Sequence, residues 1–118
     1  MDEKTFKTRT KRLAIAIINE VNKLPHSLAS EVLGRQLIRS GTSIGANYRA
    51  ACRAKSTADM INKMKIVEEE SDETEYWLEL LVEAGIIPQS QVDDIYRETD
   101  EILSMTVASI ETLRIRKS

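Results

Sequence analysis

Residue types that build metal and catalytic sites are scarce in this chain of 118 residues. It has one cysteine, one histidine, two prolines and four glycines, and aromatic side chains make up 4%. A lone cysteine excludes an internal disulfide, and one histidine with one cysteine cannot supply the three or four ligands of a zinc site. The scarcity of aromatic residues argues against a sheet, whereas a 31% share of charged residues favours long helices.

Sequence motifs for known chemistry are also missing. The glycines of the run SGTSIGAN lie in a helical pattern without the flanking residues of a phosphate-binding loop. No Glu-x-x-His pair exists, which excludes a di-iron carboxylate bundle. His26 follows a proline in a turn, and Cys52 is best explained as a small buried residue. We therefore predict no enzymatic activity, catalytic residue, cofactor, metal site or small-molecule substrate.

Long apolar runs are absent as well. The most apolar stretch, Leu13–Ile18 (LAIAII), is too short to cross a bilayer and lacks the flanks of a signal peptide. The single cysteine fits a reducing compartment. We expect a soluble cytoplasmic protein with no membrane partner.

Four helical periodicities fill the chain, separated by short breaks. Pro25 interrupts the first, Ser56 and Ser90 open capping boxes, and Gly85 ends the third. This pattern predicts an all-α fold, an antiparallel up-down-up-down four-helix bundle that forms one domain over residues 1–118. The helices are predicted to span about 2–23, 27–54, 57–84 and 91–116.

Small residues mark the middle of the second and third helices. Gly34, Gly41 and Gly45 each cost about 1 kcal/mol relative to alanine inside a helix, so they need a structural reason. Close approach of a neighbouring backbone is one such reason. The third helix is also small and polar at its centre, at Ser71 and Thr74. We therefore expect the second and third helices to lie flush against each other.

Charge is divided unevenly along the chain. The first 66 residues hold 13 basic and 5 acidic residues, a balance of +8, and the remainder holds 4 and 14, a balance of −10. Basic helices that neutralise acidic neighbours explain this split, and so does a basic surface for RNA or DNA. The candidate nucleic-acid contacts are the basic residues of the first helix: Lys4, Lys7, Arg9, Lys11 and Arg12. A protein-interaction or scaffold module is the alternative function.

The first helix is more apolar than a single buried stripe requires. Ala14, Ile15 and Ile18 extend the stripe beyond one face. This excess predicts a second contact, with a third neighbouring helix or with another subunit.

A dense acidic run in the third helix includes two residues beside its small seam. Glu70 and Glu73 are predicted to meet arginines of the second helix and to set the register between the two helices. The candidate arginines are Arg39, Arg49 and Arg53. A weaker enzymatic alternative would use the two glutamates as acid and base. It lacks a nucleophile, a metal or a pocket signature.

Three further residues near this seam are predicted to have structural roles. Asn47 is placed to specify helix alignment through hydrogen bonds. Tyr76 and Trp77 are interpreted as large anchors in the core or at an interface.

The run RSGTSIGANYRAACRAKSTADMINKMKIVEEESDETEYWLELLVEAG resembles the signature of a bacterial protein family. This is the family of four-helix bundle proteins related to the protein encoded in the intervening sequence of 23S ribosomal RNA genes. The positions that carry the resemblance are Arg39, Ser40, Ser43, Ile44, Asn47, Glu70, Glu73, Trp77 and Leu78.

This resemblance implies an antiparallel four-helix bundle that assembles into a ring-like homopentamer without enzymatic activity. The accessory protein of diversity-generating retroelements is similar to the family and binds nucleic acid through a basic surface. The resemblance therefore also supports RNA or DNA as a partner.

Overall fold

The structure, a computed structural model, describes residues 2–117 and consists of four α-helices. No β-strand occurs among these residues. The predicted all-α class is confirmed, and each predicted helix boundary holds to within two residues. The helices are α1 (Glu3–Asn22), α2 (Leu28–Cys52), α3 (Thr57–Glu83) and α4 (Gln89–Lys117).

Two of the predicted helix starts are capped as expected. The Ser27 hydroxyl accepts a hydrogen bond from the Ser30 amide at 3.1 Å, and the Ser56 hydroxyl accepts one from the Asp59 amide at 3.0 Å. Each bond satisfies an amide that has no partner within its own helix. These local bonds explain why α2 and α3 begin where they do.

In the turn between α3 and α4, the predicted role of Gly85 is confirmed and the predicted role of Ser90 is wrong. Gly85 adopts a φ of +76°, its amide bonds the Val82 carbonyl at 3.0 Å, and the Ile86 amide bonds the Leu81 carbonyl at 3.0 Å. This is a Schellman motif, which only glycine enters without strain. The prediction of Ser90 as a helix cap is wrong, because α4 already begins at Gln89.

The helices are arranged cyclically, each beside the helices that precede and follow it. α1 packs against α2 and α4, α3 packs against the same two helices, and within residues 2–117 the diagonal pairs make no close backbone approach. α1 and α2 run in opposite directions, because Phe6 packs against Tyr48 and Ile17, further along α1, packs against Gly41, which is earlier in α2. The packing is that of an antiparallel up-and-down bundle, 49 Å long and 20 Å across.

The core follows the predicted apolar stripes of all four helices. Ile17, Ile44, Val67 and Ile102 are fully buried, one from each helix. Buried threonines and serines occupy the positions between these apolar residues, and their hydroxyls bond carbonyls one turn earlier. These positions are Thr10, Ser71, Thr74, Thr99 and Thr106.

The glycines of α2 face α1 and not α3, which corrects the expected reason for them. A Cβ added at Gly41 would lie 2.5 Å from the Ile17 Cδ1 atom, and one at Gly45 would lie 3.1 Å from the Thr10 Oγ1 atom. The contact between α2 and α3 includes a buried hydrogen bond instead, which the Thr74 hydroxyl donates to the Ser40 hydroxyl at 2.9 Å.

Candidate nucleic-acid interface

The antiparallel topology concentrates basic residues at one end of the bundle. Three segments meet at the end that carries the chain termini and the α2–α3 loop: residues 2–12, 47–66 and 106–116. They hold 12 basic and 4 acidic residues, whereas residues 13–46 and 67–105 hold 4 basic and 15 acidic residues. The basic and acidic residues are therefore concentrated in different parts of the molecule. We call the part formed by residues 2–12, 47–66 and 106–116 the basic end, and the part formed by residues 13–46 and 67–105 the acidic end.

Several cations at the basic end are exposed and have no acidic partner within residues 2–117. Unpaired cations on one surface raise the local positive potential that attracts phosphate groups. The exposed cations of α1 and α2 in this set are Lys4, Lys11, Arg12, Arg49 and Arg53.

A groove of about 500 Å³ runs between α1 and α2 at this end. Lys7 and Lys11 line it from α1, and Arg49 lines it from α2. Gly45 and Thr10 both line it, and a Cβ added at Gly45 would lie 3.6 Å from the Thr10 carbonyl carbon, which shows how closely the two backbones approach here. The groove thus presents three cations to solvent without an acidic residue in its lining.

Two of the predicted contact residues on α1 are engaged within the chain. The Arg9 guanidinium turns toward α4, where its Nε donates to Glu98 Oε2 at 3.0 Å and its Nη2 lies 3.3 Å from Glu101 Oε1. Its hydrogen bond to Glu98 raises the pKa of Arg9 further above its already high usual value. Arg9 is therefore a structural link between helices and not a candidate contact. Lys7 pairs with Glu3 at 3.2 Å on the surface.

The signature residues of α2 and α3 form one ion-pair cluster. Arg39 Nη1 lies 3.3 Å from Glu70 Oε2, and Arg39 Nη2 donates to Glu73 Oε1. Trp77 Nε1 donates to the same Glu73 oxygen at 3.2 Å. The hydrogen bond from Arg39 lowers the pKa of Glu73 below its usual value. Arg39 pairs with both carboxylates and holds Glu73 in its charged form, so the arrangement opposes their use as an acid and base pair.

Two further signature residues, Ser43 and Asn47, make hydrogen bonds within α2. Ser43 Oγ donates to the Arg39 carbonyl at 2.6 Å, and Asn47 Nδ2 donates to the Ser43 carbonyl at 2.8 Å. Asn47 thus bonds its own helix, contrary to the predicted role in alignment. Arg49 and Arg53 do not meet Glu70 or Glu73, because they lie too far toward the basic end.

We expect Arg39→Ala to lower the free energy of unfolding by about 1 kcal/mol at pH 7, because Glu70, with 13% of its side chain exposed, loses its cation. Arg35→Ala is the matched control, since Arg35 pairs only with exposed Glu31 and should cost less than about 0.5 kcal/mol. Urea unfolding measures both. The depressed pKa of Glu73 means that the stabilisation is present above pH 4.5 and lost at lower pH. Equal losses for both variants would contradict a register role for the cluster.

A buried carboxyl on α3 was not singled out from the sequence. Glu75 is 8% exposed, and its Oε2 atom has no hydrogen-bond partner. Burial raises the pKa of Glu75 to about 7, and the neighbouring Asp100, Asp72 and Glu79 add to the shift. Glu75 directly follows buried Thr74 and therefore lies at the edge of the seam. This position was the signal in the sequence that could have distinguished Glu75 from the other residues of the acidic run.

His26 and Cys52, the candidate residues for metal or redox chemistry, lie in different parts of the fold. His26 is exposed in the α1–α2 turn, and Cys52 is half-buried beside the core. Burial raises the pKa of the Cys52 thiol, which disfavours its reactive thiolate form. Across residues 2–117, no group of His, Cys, Asp and Glu is placed to hold a metal ion. Within the same range, none of the helices has an apolar stretch that could cross a bilayer.

A family model described as 23S rRNA-intervening sequence protein matches residues 4–108. The chain belongs to this family. A crystal structure from Bacteroides thetaiotaomicron, of a protein with unknown function from the S23 ribosomal protein family, shares the fold with a TM-score of 0.83. The two chains are 38% identical, and the match covers 94% of this chain and 99% of that one. No curated protein matches the chain.

Membership of the 23S rRNA-intervening sequence protein family confirms the resemblance carried by α2 and α3. The family match spans the Arg39–Glu70–Glu73 cluster and the basic α1–α2 groove. The family and the similar structure indicate no enzymatic class.

Proposed function

We propose that this protein is a non-enzymatic helical-bundle protein that binds nucleic acid through its basic end. The observation that carries the proposal is the concentration of 12 basic and 4 acidic residues in the segments at that end. A surface of unpaired cations binds phosphates by releasing their counterions, and this needs no base-specific contact.

The structure changes which residues we assign to this surface. Arg9 is excluded from the proposed contact surface because it pairs with Glu98 of α4. Arg49 and Arg53 of α2 are added to the exposed cations of α1. Lys55 of the α2–α3 loop and Lys63 and Lys65 of α3 extend the same end. The partner is therefore expected to contact the end of the bundle as well as the α1–α2 groove.

Aromatic side chains indicate which form of nucleic acid fits. Phe6 and Tyr48 are the aromatic residues within the segments of the basic end, and both are buried. Proteins that hold single strands rely on exposed aromatic rings for base stacking. A duplex or folded RNA, bound by its phosphates, is thus the favoured ligand.

A charge-matched pair of variants tests the proposal with a labelled RNA duplex. The test variant carries Lys11→Gln, Arg49→Gln and Arg53→Gln at the basic end. The control carries Lys23→Gln, Arg35→Gln and Arg97→Gln in the acidic segments, with the same change in net charge. Fluorescence anisotropy at several salt concentrations measures affinity and its salt slope.

We expect the test variant to reduce the salt slope by about 3, one unit for each lost phosphate contact, and the control to match the wild type. Equal binding by both variants, or no salt-dependent binding by the wild type at low salt, would contradict the proposal. In that case the alternative, a protein-interaction or scaffold module, becomes the better explanation. The homopentamer and the cytoplasmic location stay predictions.

A further inference from the structure

A groove of about 290 Å³ lies between α3 and α4 in the acidic end of the molecule. Its lining combines apolar side chains with carboxylates: Leu78, Val82, Val92, Glu79, Glu83 and Asp93. Within residues 2–117, no lysine or arginine lines this groove. Apolar surface next to carboxylates suits a ligand that has both alkyl segments and positive charges, the combination that a lysine side chain presents. The groove therefore favours a cationic, partly apolar ligand.

Carboxyl groups stand at three levels along this side of the bundle. Glu75, Glu79 and Glu83 follow one another at four-residue steps on one face of α3, which places them about 6 Å apart at 1.5 Å per residue. The Tyr96 hydroxyl of α4 donates to Glu79 at 2.7 Å and marks the middle level. Since α4 runs antiparallel to α3, Asp100 is on the level of Glu75, where it contributes to the raised pKa of that carboxyl.

Glu75 is the buried member of this row, and its charge is not balanced within the chain. It is 8% exposed, and its Oε2 atom has no hydrogen-bond partner. Its titratable neighbours are Asp72 and Glu79 on α3 and Asp100 and Tyr96 on α4, a set without a basic group. Among residues 2–117, no lysine or arginine pairs with it. A buried carboxylate without a partner is costly, so this level requires one positive charge from outside the chain.

A linear polyamine fits the row better than other cations. Across residues 2–117, no group of carboxylates is placed to hold a metal ion. A lysine side chain of a protein partner offers one ammonium group, which leaves two levels unbalanced. A polyamine carries several ammonium groups joined by short alkyl chains, and a chain of three or four carbons spans about one helical turn. Its nitrogens therefore reach successive levels while its carbons cover Leu78 and Val82.

We propose that the α3–α4 groove binds a linear aliphatic polyamine, with one ammonium group on the buried Glu75 carboxylate and the others on Glu79 and Glu83. The polyamine is a ligand and not a substrate, since binding forms and breaks no covalent bond. Where Glu75 is protonated in the free protein, the ammonium group replaces that proton, which leaves to solvent. The site lies in the acidic end and uses no nucleic acid, so it is independent of the proposed function.

Isothermal titration calorimetry of the protein without nucleic acid tests the proposal at pH 7.5 and low salt. The probe is the triamine spermidine, and 1,4-diaminobutane, butylamine and Mg²⁺ are comparisons that carry fewer ammonium groups or none. The test variant is Glu75→Gln. The matched control is Glu69→Gln, which changes an exposed acid on the same helix and gives the same change in net charge. Circular dichroism checks that both variants are folded.

We expect the wild type and Glu69→Gln to bind one spermidine per chain with equal affinity. Glu75→Gln should bind it about tenfold more weakly, the loss typical of one hydrogen bond between charged groups. Wild-type affinity should fall in the order spermidine, 1,4-diaminobutane, butylamine, because each step removes an ammonium group. Absence of spermidine binding, equal affinity of the two variants, or binding of Mg²⁺ as tight as that of spermidine would each overturn the proposal.

The dependence of affinity on pH is a readout that a merely structural role of Glu75 does not produce. Spermidine binds the ionised carboxylate, and burial raises the pKa of Glu75 to about 7, so the ionised fraction rises between pH 6 and pH 7.5. Wild-type affinity should therefore rise about eightfold over this interval, and the affinity of Glu75→Gln should stay constant. A wild-type affinity that does not change with pH, or an equal rise in the variant, would overturn the placement of an ammonium group on Glu75.

Discussion

Substitution of Gly41 by valine is expected to lower the free energy of unfolding by about 2–3 kcal/mol. The Cβ atom alone would lie 2.5 Å from Ile17 Cδ1 and 3.2 Å from Ile17 Cγ2. Ile17 is fully buried and cannot swing into solvent. The two helices must therefore separate or Ile17 must leave its preferred rotamer. Urea unfolding monitored by circular dichroism measures the loss.

A compensating substitution in α1 should reverse much of this effect. Ile17→Ala removes the atoms that the new valine meets, and the pair Gly41→Val with Ile17→Ala keeps the number of side-chain carbons unchanged. Ile17→Ala alone should cost about 2–5 kcal/mol through the cavity that it leaves. The double variant is expected to be more stable than either single variant, with a coupling of at least about 1 kcal/mol.

Gly85 provides the control for this cycle. It has no neighbour within 4 Å of an added Cβ, but its φ of +76° makes alanine cost about 1 kcal/mol through backbone strain. Because the strain is local, Ile17→Ala should leave the cost of Gly85→Ala unchanged. Additive losses at Gly41 and Ile17 would show that the α1–α2 spacing is not set by this contact.

The glycines show how far sequence pattern predicts the fold and where it stops. Helical spacing, Pro25 and the serine caps predict four helices, because these signals act within a few residues along the chain. The glycine cost also predicts that α2 approaches a neighbour closely. The choice of neighbour depends on the rotation of α2 about its axis, which is decided jointly by buried side chains on three helices. The pattern therefore favoured α3, whereas Gly41 meets α1.

The same limit applies to the candidate site. The uneven charge and the pairing of Arg39 with Glu70 and Glu73 were predictable from composition and helix spacing. The pairing of Arg9 with Glu98 was not, because it joins the first and last helices and depends on closure of the bundle. Separation of charge between the two ends likewise follows from the antiparallel order of the helices and not from either half of the chain alone.

Replacement of Glu75 by glutamine is expected to stabilise the protein at pH 8 by about 2 kcal/mol. Burial raises the pKa of Glu75 from 4.5 to about 7, so a charged, poorly solvated carboxylate is present at pH 8. Acidic groups on α3 and on α4 lie near the Glu75 carboxylate. These are Asp72 and Glu79 on α3 and Asp100 on α4, with the Tyr96 hydroxyl donating to Glu79.

The dependence on pH has a defined direction. Between pH 4.5 and about 7 the folded protein holds a proton on Glu75 that the unfolded chain has released. Stability contributed by this group therefore falls as the pH rises through that interval. Glutamine has no proton to lose, so Glu75→Gln should flatten this part of the profile and differ little from the wild type at pH 4.5.

An exposed acid on the same helix separates this effect from a change in net charge. Glu69→Gln removes the same charge from the surface of α3 and should change stability by less than about 0.5 kcal/mol at pH 8. Thermal melts of both variants from pH 4.5 to pH 8 supply the comparison. If Glu75→Gln and Glu69→Gln shift the profile equally, the acidic end is destabilised by its overall charge and not by the burial of one carboxyl. If Glu75→Gln alone gains stability, the wild-type chain carries a buried charge that its fold does not need.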